Sequence, residues 1–230
     1  VYSVDKIPGY FARYFEEEFP LFSNQLGIVS TDTTDVPHEF RYDINIKDTK
    51  GIQTLFANEL ADIRNASIKG EFSNLDSLMN ATIRIPEFGL GNLRATQLAA
   101  FLELEGDEGD LNFQAAGFTP AKNINEAPIT LLTTFNQDTV YFGLTYDDPA
   151  SQNMLNRLYF DGRLVALDST TTMMEMEDSQ LEFWQDPWVI NNGNSILFKQ
   201  DSIIIRDFVA LQDDRTASLE SFAKRGIAIN

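Results

Sequence analysis

The chain has 230 residues, a formal net charge of -18 and a pI near 4.3, with 43% hydrophobic and 12% aromatic content. That composition is globular, and 17 Lys and Arg set against 35 Asp and Glu argue against a phosphate-binding surface for nucleic acid and disfavour an anionic membrane surface. With no cysteine and one histidine, thiolate nucleophiles, disulfides, Cys-built zinc sites and paired-histidine metal sites are ruled out.

The sequence opens on Val1 with no signal-peptide pattern, and no apolar stretch approaches the ~20 residues needed to cross a bilayer. It reads as an excerpt of a longer protein whose targeting and anchoring parts lie outside it. In the first segment, Ile7, Phe11, Tyr14, Phe15 and Phe19 recur at three- and four-residue steps, with Arg13 and Glu16 to Glu18 elsewhere on the wheel. This period predicts a short amphipathic helix, ended by Pro20 and covering one end of a core. Its acidic polar face argues against a membrane-surface helix.

A polar loop, "STDTTDVPHE", follows, and from Phe40 the period becomes two. Phe40, Tyr42, Ile44 and Ile46 alternate with Arg41, Asp43, Asn45 and Lys47. "KGIQTLFANEL" is read as one or two helical turns. Alternation resumes over Ala66 to Phe72 and Met79 to Ile85, then at Leu98 to Leu104, Leu111 to Phe118, Ile129 to Phe135, Val140 to Tyr146, Leu158 to Leu167 and Met174 to Phe183. Last comes "NSILFKQDSIIIRDFVAL", two short runs joined by a charged corner. Corners such as "SNLDS", "GDEGD" and "NQD" carry turn chemistry, and long helices are absent, so the pattern gives an antiparallel meander or a β-solenoid-like array. No Pro/Gly/Ser-rich linker divides it: residues 1–38 form the helix and polar loop, and residues 39–230 one all-β segment.

Reactive chemistry is thin. His38 is the one base available to a catalytic triad, and its place beside Pro37 and Glu39 reads as a satisfied surface histidine. No phosphate-binding glycine motif occurs; "EFGLGNL" is only a turn. Two acidic groups, "GDEGD" at Gly106 to Asp110 and Glu175, Glu177 and Asp178, lack the spacing of a calcium loop and read as solvated corners and strand faces. No catalytic residue, metal site or cofactor is expected. The alternation itself allows either an ordinary sandwich core or an apolar face left partly open for an apolar partner.

"LEFWQDPWVINNGNSILFKQDSIIIRDFVALQDDRTASLESFAKRG", Leu181 to Gly226, resembles a pattern that recurs in TamB-like translocation and assembly proteins of the Bacteroidota. The pattern is a tryptophan-containing strand, "N-x-I-x-F", an acidic corner, "I-x-I-x-x-F" and a final strand. Trp188, Ile190, Ile196, Phe198, Ile203, Ile205, Phe208 and Leu219 fall on these positions, with a departure at Phe222 to Arg225. The upstream stretches from Phe40 to Gly117 and from Ala127 to Leu167 are similar to the family's middle region and to its usual strand pair.

The resemblance implies a bridge-like lipid transfer protein of the AsmA-like superfamily: an inner-membrane anchor outside this stretch, then a periplasmic β-taco, a curved antiparallel β-solenoid-like sheet with an apolar concave face. The implied partners are phospholipid and an outer-membrane protein of the Omp85 class. An alternative role within the family is a β-scaffold aiding assembly of outer-membrane β-barrels, and outside it a carbohydrate-binding β-sandwich. Under the groove reading the inward residues of each strand face lipid. These are the eight just named together with Phe40, Tyr42, Ile44, Ile68, Phe72, Ile83, Ile85, Leu102, Leu104, Phe113, Phe135, Phe142, Leu144, Phe160 and Leu164.

Overall fold

The structure, a computed structural model, describes residues 7–30, 38–49, 62–119, 126–148, 155–199, 201–222 and 226–229. The helical turns expected over "KGIQTLFANEL" and the register of Ala223 to Arg225 lie outside these residues. Two short helices come first, α1 (Ile7–Glu18) and α2 (Pro20–Leu26). Pro20 does end α1, but it then opens α2, because a proline at the first helical position needs no N–H partner. Gly27, at φ 65°, closes α2 in the left-handed conformation.

Everything after the helices is antiparallel strand: β1 (Glu39–Asp48), β2 (Asp62–Ser73), β3 (Leu78–Leu90), β4 (Leu93–Glu105), β5 (Glu108–Thr119), β6 (Ala127–Asn136), β7 (Thr139–Asp147), β8 (Leu155–Asp168), β9 (Thr171–Phe183), β10 (Asp186–Ile190), β11 (Ser195–Lys199), β12 (Ser202–Arg206), β13 (Phe208–Gln212), β14 (Arg215–Phe222) and β15 (Gly226–Ile229). They form one 15-stranded sheet in which β1 to β10 lie in chain order, and no second sheet faces it among the described residues. The expected curved antiparallel sheet with an apolar inner face and a short N-terminal helix is the architecture found.

Registers assign the faces, because directly opposed residues in an antiparallel ladder project to the same side. Phe40, Phe72, Met79, Leu104, Gly109, Phe135, Val140, Leu164, Met174, Ile196 and Ile205 are opposed pair by pair, making one apolar row from β1 to β12. Its counterpart on the outer face runs Arg41, Glu71, Asn80, Glu103, Asp110, Thr134, Tyr141, Arg163, Glu175. The two periodic sequences thus become two chemically distinct surfaces.

The sheet forks at β9. Its first half pairs with β11 and its second half with β10, and β10 leads on to β13, β14 and β15. The two runs expected in "NSILFKQDSIIIRDFVAL" become three strands, since Asp207 at φ 52° breaks β12 from β13. Side-chain amides fill the fork: the Asn194 carbonyl oxygen accepts from Met176 N at 3.2 Å, and its amide donates to Met176 O at 3.0 Å.

The densest core lies where the helices meet the sheet. Tyr10, Tyr14 and Phe19 are buried with Phe40, Phe72, Met79 and Leu104, and Phe11, Phe15, Phe22, Tyr42, Leu102 and Phe135 pack around them. His38 belongs here rather than at the surface. It is 9% exposed and its ring centroid lies 4.0 Å from that of Tyr10, so the aromatic layer continues through the imidazole.

Candidate functional site: the apolar inner face

Three further rows run beside the first. The next is Tyr42, Gly70, Ala81, Leu102, Leu111, Thr133, Phe142, Gly162, Met176, and beyond it lies Ile44, Ile68, Ile83, Ala100, Phe113, Leu131, Leu144, Phe160. A fourth joins Ala115, Ile129, Tyr146, Leu158, Leu181 and Trp188 from β5 to β10. Opposite Ile85 in this region stands Leu98. Glycines in these rows make room for large neighbours. A Cβ at Gly70 would collide with the Tyr42 ring, whose hydroxyl reaches across that strand to donate to Asn80 O at 2.7 Å.

All the sequence-predicted groove residues share this face. Ile196 and Ile205 close the first row, while Phe198 opposes Ile203 and Thr172 one step beyond it. Ile190 opposes Ala210, and Phe208 on the same strand opposes Leu219. The Arg215 guanidinium lies 5.7 Å from the Trp188 ring centroid.

Accessibility divides the set. Phe40, Phe72 and Leu104 are covered by α1 and are core rather than open groove; the sequence reveals their face but not what lies on it. Phe135 meets Phe19 with ring centroids 5.8 Å apart, and Ile190 and Ile205 are also buried. In contrast Ile68, Ile83, Phe113, Phe142, Leu144 and Phe160 are half-buried, Ile44 is 39% exposed, and Phe198 and Ile203 are exposed. Met79, Val140, Met174, Leu111 and Leu131 complete the rows and were not singled out from sequence. Strict alternation from their named neighbours is the signal that finds them.

The helices lie along the first row, at the hairpin-turn rim. Tyr10 meets β1, the Tyr14 hydroxyl donates to Ser77 O and Gly106 O at the β2–β3 and β4–β5 turns, Phe19 meets β6, and the Gln25 amide donates to Asp168 O at 2.6 Å beside the β8–β9 turn. From Tyr10 to Gln25 a helical path is about 22 Å, whereas the seven to eight strand spacings it crosses measure about 35 Å along a flat sheet. The sheet is therefore bent around the helices.

No family model, curated protein or solved structure matches the chain. Its own geometry carries the functional reading.

Glu175 is held by Arg163 at 2.6 Å, and Asp110 accepts from the Thr134 hydroxyl at 2.8 Å, so these acids are engaged on the outer face. The Arg163 guanidinium is pushed above its ordinary value by that same Glu175 contact. Among the described residues no group of three or more His, Asp or Glu is placed to hold a metal ion, and no helix is long and apolar enough to cross a membrane. Two clefts lie at turns: one of about 580 Å³ around Gln25, Leu26, Thr170, Phe198 and Lys199, with mixed polar and apolar lining, and an acidic one of about 650 Å³ around Glu105, Asp107 and Asp110. What remains is an uninterrupted apolar surface, half-buried and several strands long.

Proposed function

We propose that this chain is one section of a periplasmic groove that conducts phospholipid between inner and outer membranes, as in the TamB-like proteins its sequence resembles. The observation that carries the reading is the row from Ile44 through Ile68, Ile83, Phe113 and Leu144 to Phe160, apolar at every position and not buried under another layer of described residues. A lipid crossing water exposes its chains at about 0.8 kcal/mol per CH₂, and a continuous apolar track removes that cost along the whole path. Rows run perpendicular to the strands, so adding strands lengthens the track by ~4.8 Å each without changing its cross-section. Transfer of an intact lipid forms and breaks no bond, so the reading requires no reactive group. The full protein would be anchored in the inner membrane outside this stretch and meet an outer-membrane partner of the Omp85 class.

The test is lipid extraction from the purified protein with mass spectrometry, repeated with Phe142→Asp. Phe142 is half-buried on the open track, so a carboxylate there obstructs hydrocarbon with less harm to the core than at buried Ile205. Co-purifying phospholipid that is lost in the folded Phe142→Asp protein supports the groove; folded protein with lipid content unchanged defeats it.

A second reading draws on β1, which pairs with β2 alone among the described residues and presents ten residues of strand edge. Such an edge accepts another strand, as assembly of β-barrel substrates would require. Crosslinks from β1 to a barrel protein, with no lipid recovered, would favour it. The carbohydrate-binding alternative presupposes two packed sheets, and the fold offers it less.

A further inference from the structure

The row beneath α1 is continuous with the open track beside it, and its cover is attached in a particular way. Among the described residues no backbone hydrogen bond joins either helix to the sheet; the polar ties are side chains, with Tyr14 donating to the carbonyls of Ser77 and Gly106, and Gln25 donating to those of Asp168 and Thr171 and accepting from the Thr172 hydroxyl. The apolar side of α1 packs on the sheet, while on its polar side Glu18 faces like charge. Glu16, Glu17 and Glu18 occupy the last turn, where the helix dipole already places negative partial charge; Arg13 pairs with Glu17 at 2.7 Å and Ser30 N donates to Glu16, which leaves Glu18 as the charge facing the acidic turn. Glu18 also approaches the acidic β4–β5 turn, and together with Asp107 and Glu105 it adds to the effect of burial in raising the Tyr14 phenol. Phe11 and Phe15 are only partly buried, and Phe11 reaches Tyr42 of the neighbouring row with ring centroids 5.9 Å apart.

We infer that the strip formed by Phe40, Phe72, Met79 and Leu104 is a latent acyl-chain site, occupied by the aromatic side chains of α1 until an amphiphile from the open track displaces them. The inference rests on the lipid-groove reading. Its ligand is a single long acyl chain bearing a zwitterionic headgroup, because the rim beside it carries Glu18, Glu105 and Asp107. A cationic moiety is drawn to these acids, and a purely anionic head is repelled.

The absence of native cysteine makes the test direct. Phe15→Cys reports on the helix and Phe113→Cys on the open track, each read by the rate of maleimide labelling with and without dodecylphosphocholine below its micelle concentration. Displacement predicts that labelling at position 15 accelerates about tenfold while position 113 becomes protected. Protection at 113 with unchanged or slower labelling at 15 overturns the latent site and leaves the groove standing; no change at either position overturns both. Dodecyl sulfate below its own micelle concentration should accelerate position 15 far less, and equal acceleration would overturn the headgroup selection. If Phe15→Cys does not fold, Phe11→Cys gives the same readout from the same helix face.

Discussion

The Tyr14 hydroxyl stands 2.9 Å from the Gly106 carbonyl oxygen and donates to it, with the Ser77 carbonyl sharing the proton at 3.1 Å. One side chain on α1 therefore holds two hairpin turns that are far apart in the chain. Tyr14→Phe removes the donor, leaves two carbonyls with one partner fewer, and should lower stability by about 1–3 kcal/mol. The denaturant midpoint checks it; an unchanged midpoint would mean that water replaces the phenol without loss.

The same phenol sets an alkaline limit. Burial first, then Glu18, Asp107 and Glu105, raise its pKa above the usual 10.0, so between that value and its own the folded protein keeps a proton that the unfolded chain has released. The resulting stability is fully present below about pH 10 and declines as pH rises further. Urea midpoints measured on both sides of this value should show the decline. The decline should be shallower in Tyr14→Phe but not abolished, because burial also raises Tyr42 and Tyr146.

Two leucines on one face distinguish core from track. Leu104 is fully buried beneath α1, and Leu104→Ala should cost about 2–5 kcal/mol in transfer and cavity terms. Leu144 sits half-buried on the open row, where solvent already reaches the side chain, and Leu144→Ala should cost less than about 1.5 kcal/mol. Equal losses would mean that the open row is packed as tightly as the covered one.

Glu18 gives a change in the opposite sense. Glu18→Gln removes a like charge from the acidic turn and a mismatched charge from the helix C-terminus, and should raise stability by about 0.3–1 kcal/mol, less at high salt. Thermal melts at two ionic strengths read both effects. A destabilised variant would show that Glu18 makes a favourable contact outweighing the repulsion.

The inner face was legible because period two survives in nearly every strand: Phe40 to Ile46 and Met79 to Ile85 name their own side without reference to a partner. What covers that face was not legible. The spacing of Tyr10, Tyr14 and Phe19 shows that α1 must bury something, but only the pairing of Phe40 with Phe72 and of Phe72 with Met79 creates the strip that receives it. His38 was misplaced for the same reason, since neighbours in sequence do not reveal that Tyr10 stacks on it. The β9 fork was hidden too. Met174 to Phe183 looks like one alternating run, yet Asp178 at φ 34° interrupts it where the strand changes partners.

That fork supplies the last prediction. Beyond Met174 strand β9 leaves β11, and it does not meet β10 until Ser179, so the backbone between them lacks a ladder partner on that side. Asn194, 1% exposed, substitutes for the missing strand: its side-chain amide reproduces the donor and acceptor of a peptide group against Met176 and also donates to Asn191 O at 2.6 Å. Asn191 in turn accepts from Val209 N at 2.9 Å, linking the gap to β13. Asn194→Ala leaves both Met176 backbone groups buried and without this partner, at about 1–3 kcal/mol. Asn194→Asp should be worse, because a carboxylate keeps the acceptor but places charge against two carbonyl oxygens. Asn192 is exposed, and its side-chain oxygen accepts from Asp178 N at 3.1 Å without the second, donated bonds that Asn194 makes, so it should tolerate alanine with little loss. The order Asn194→Asp below Asn194→Ala below Asn192→Ala in urea midpoint is the expected result. Equal midpoints for the two alanine variants would show that the fork is held by strand pairing alone.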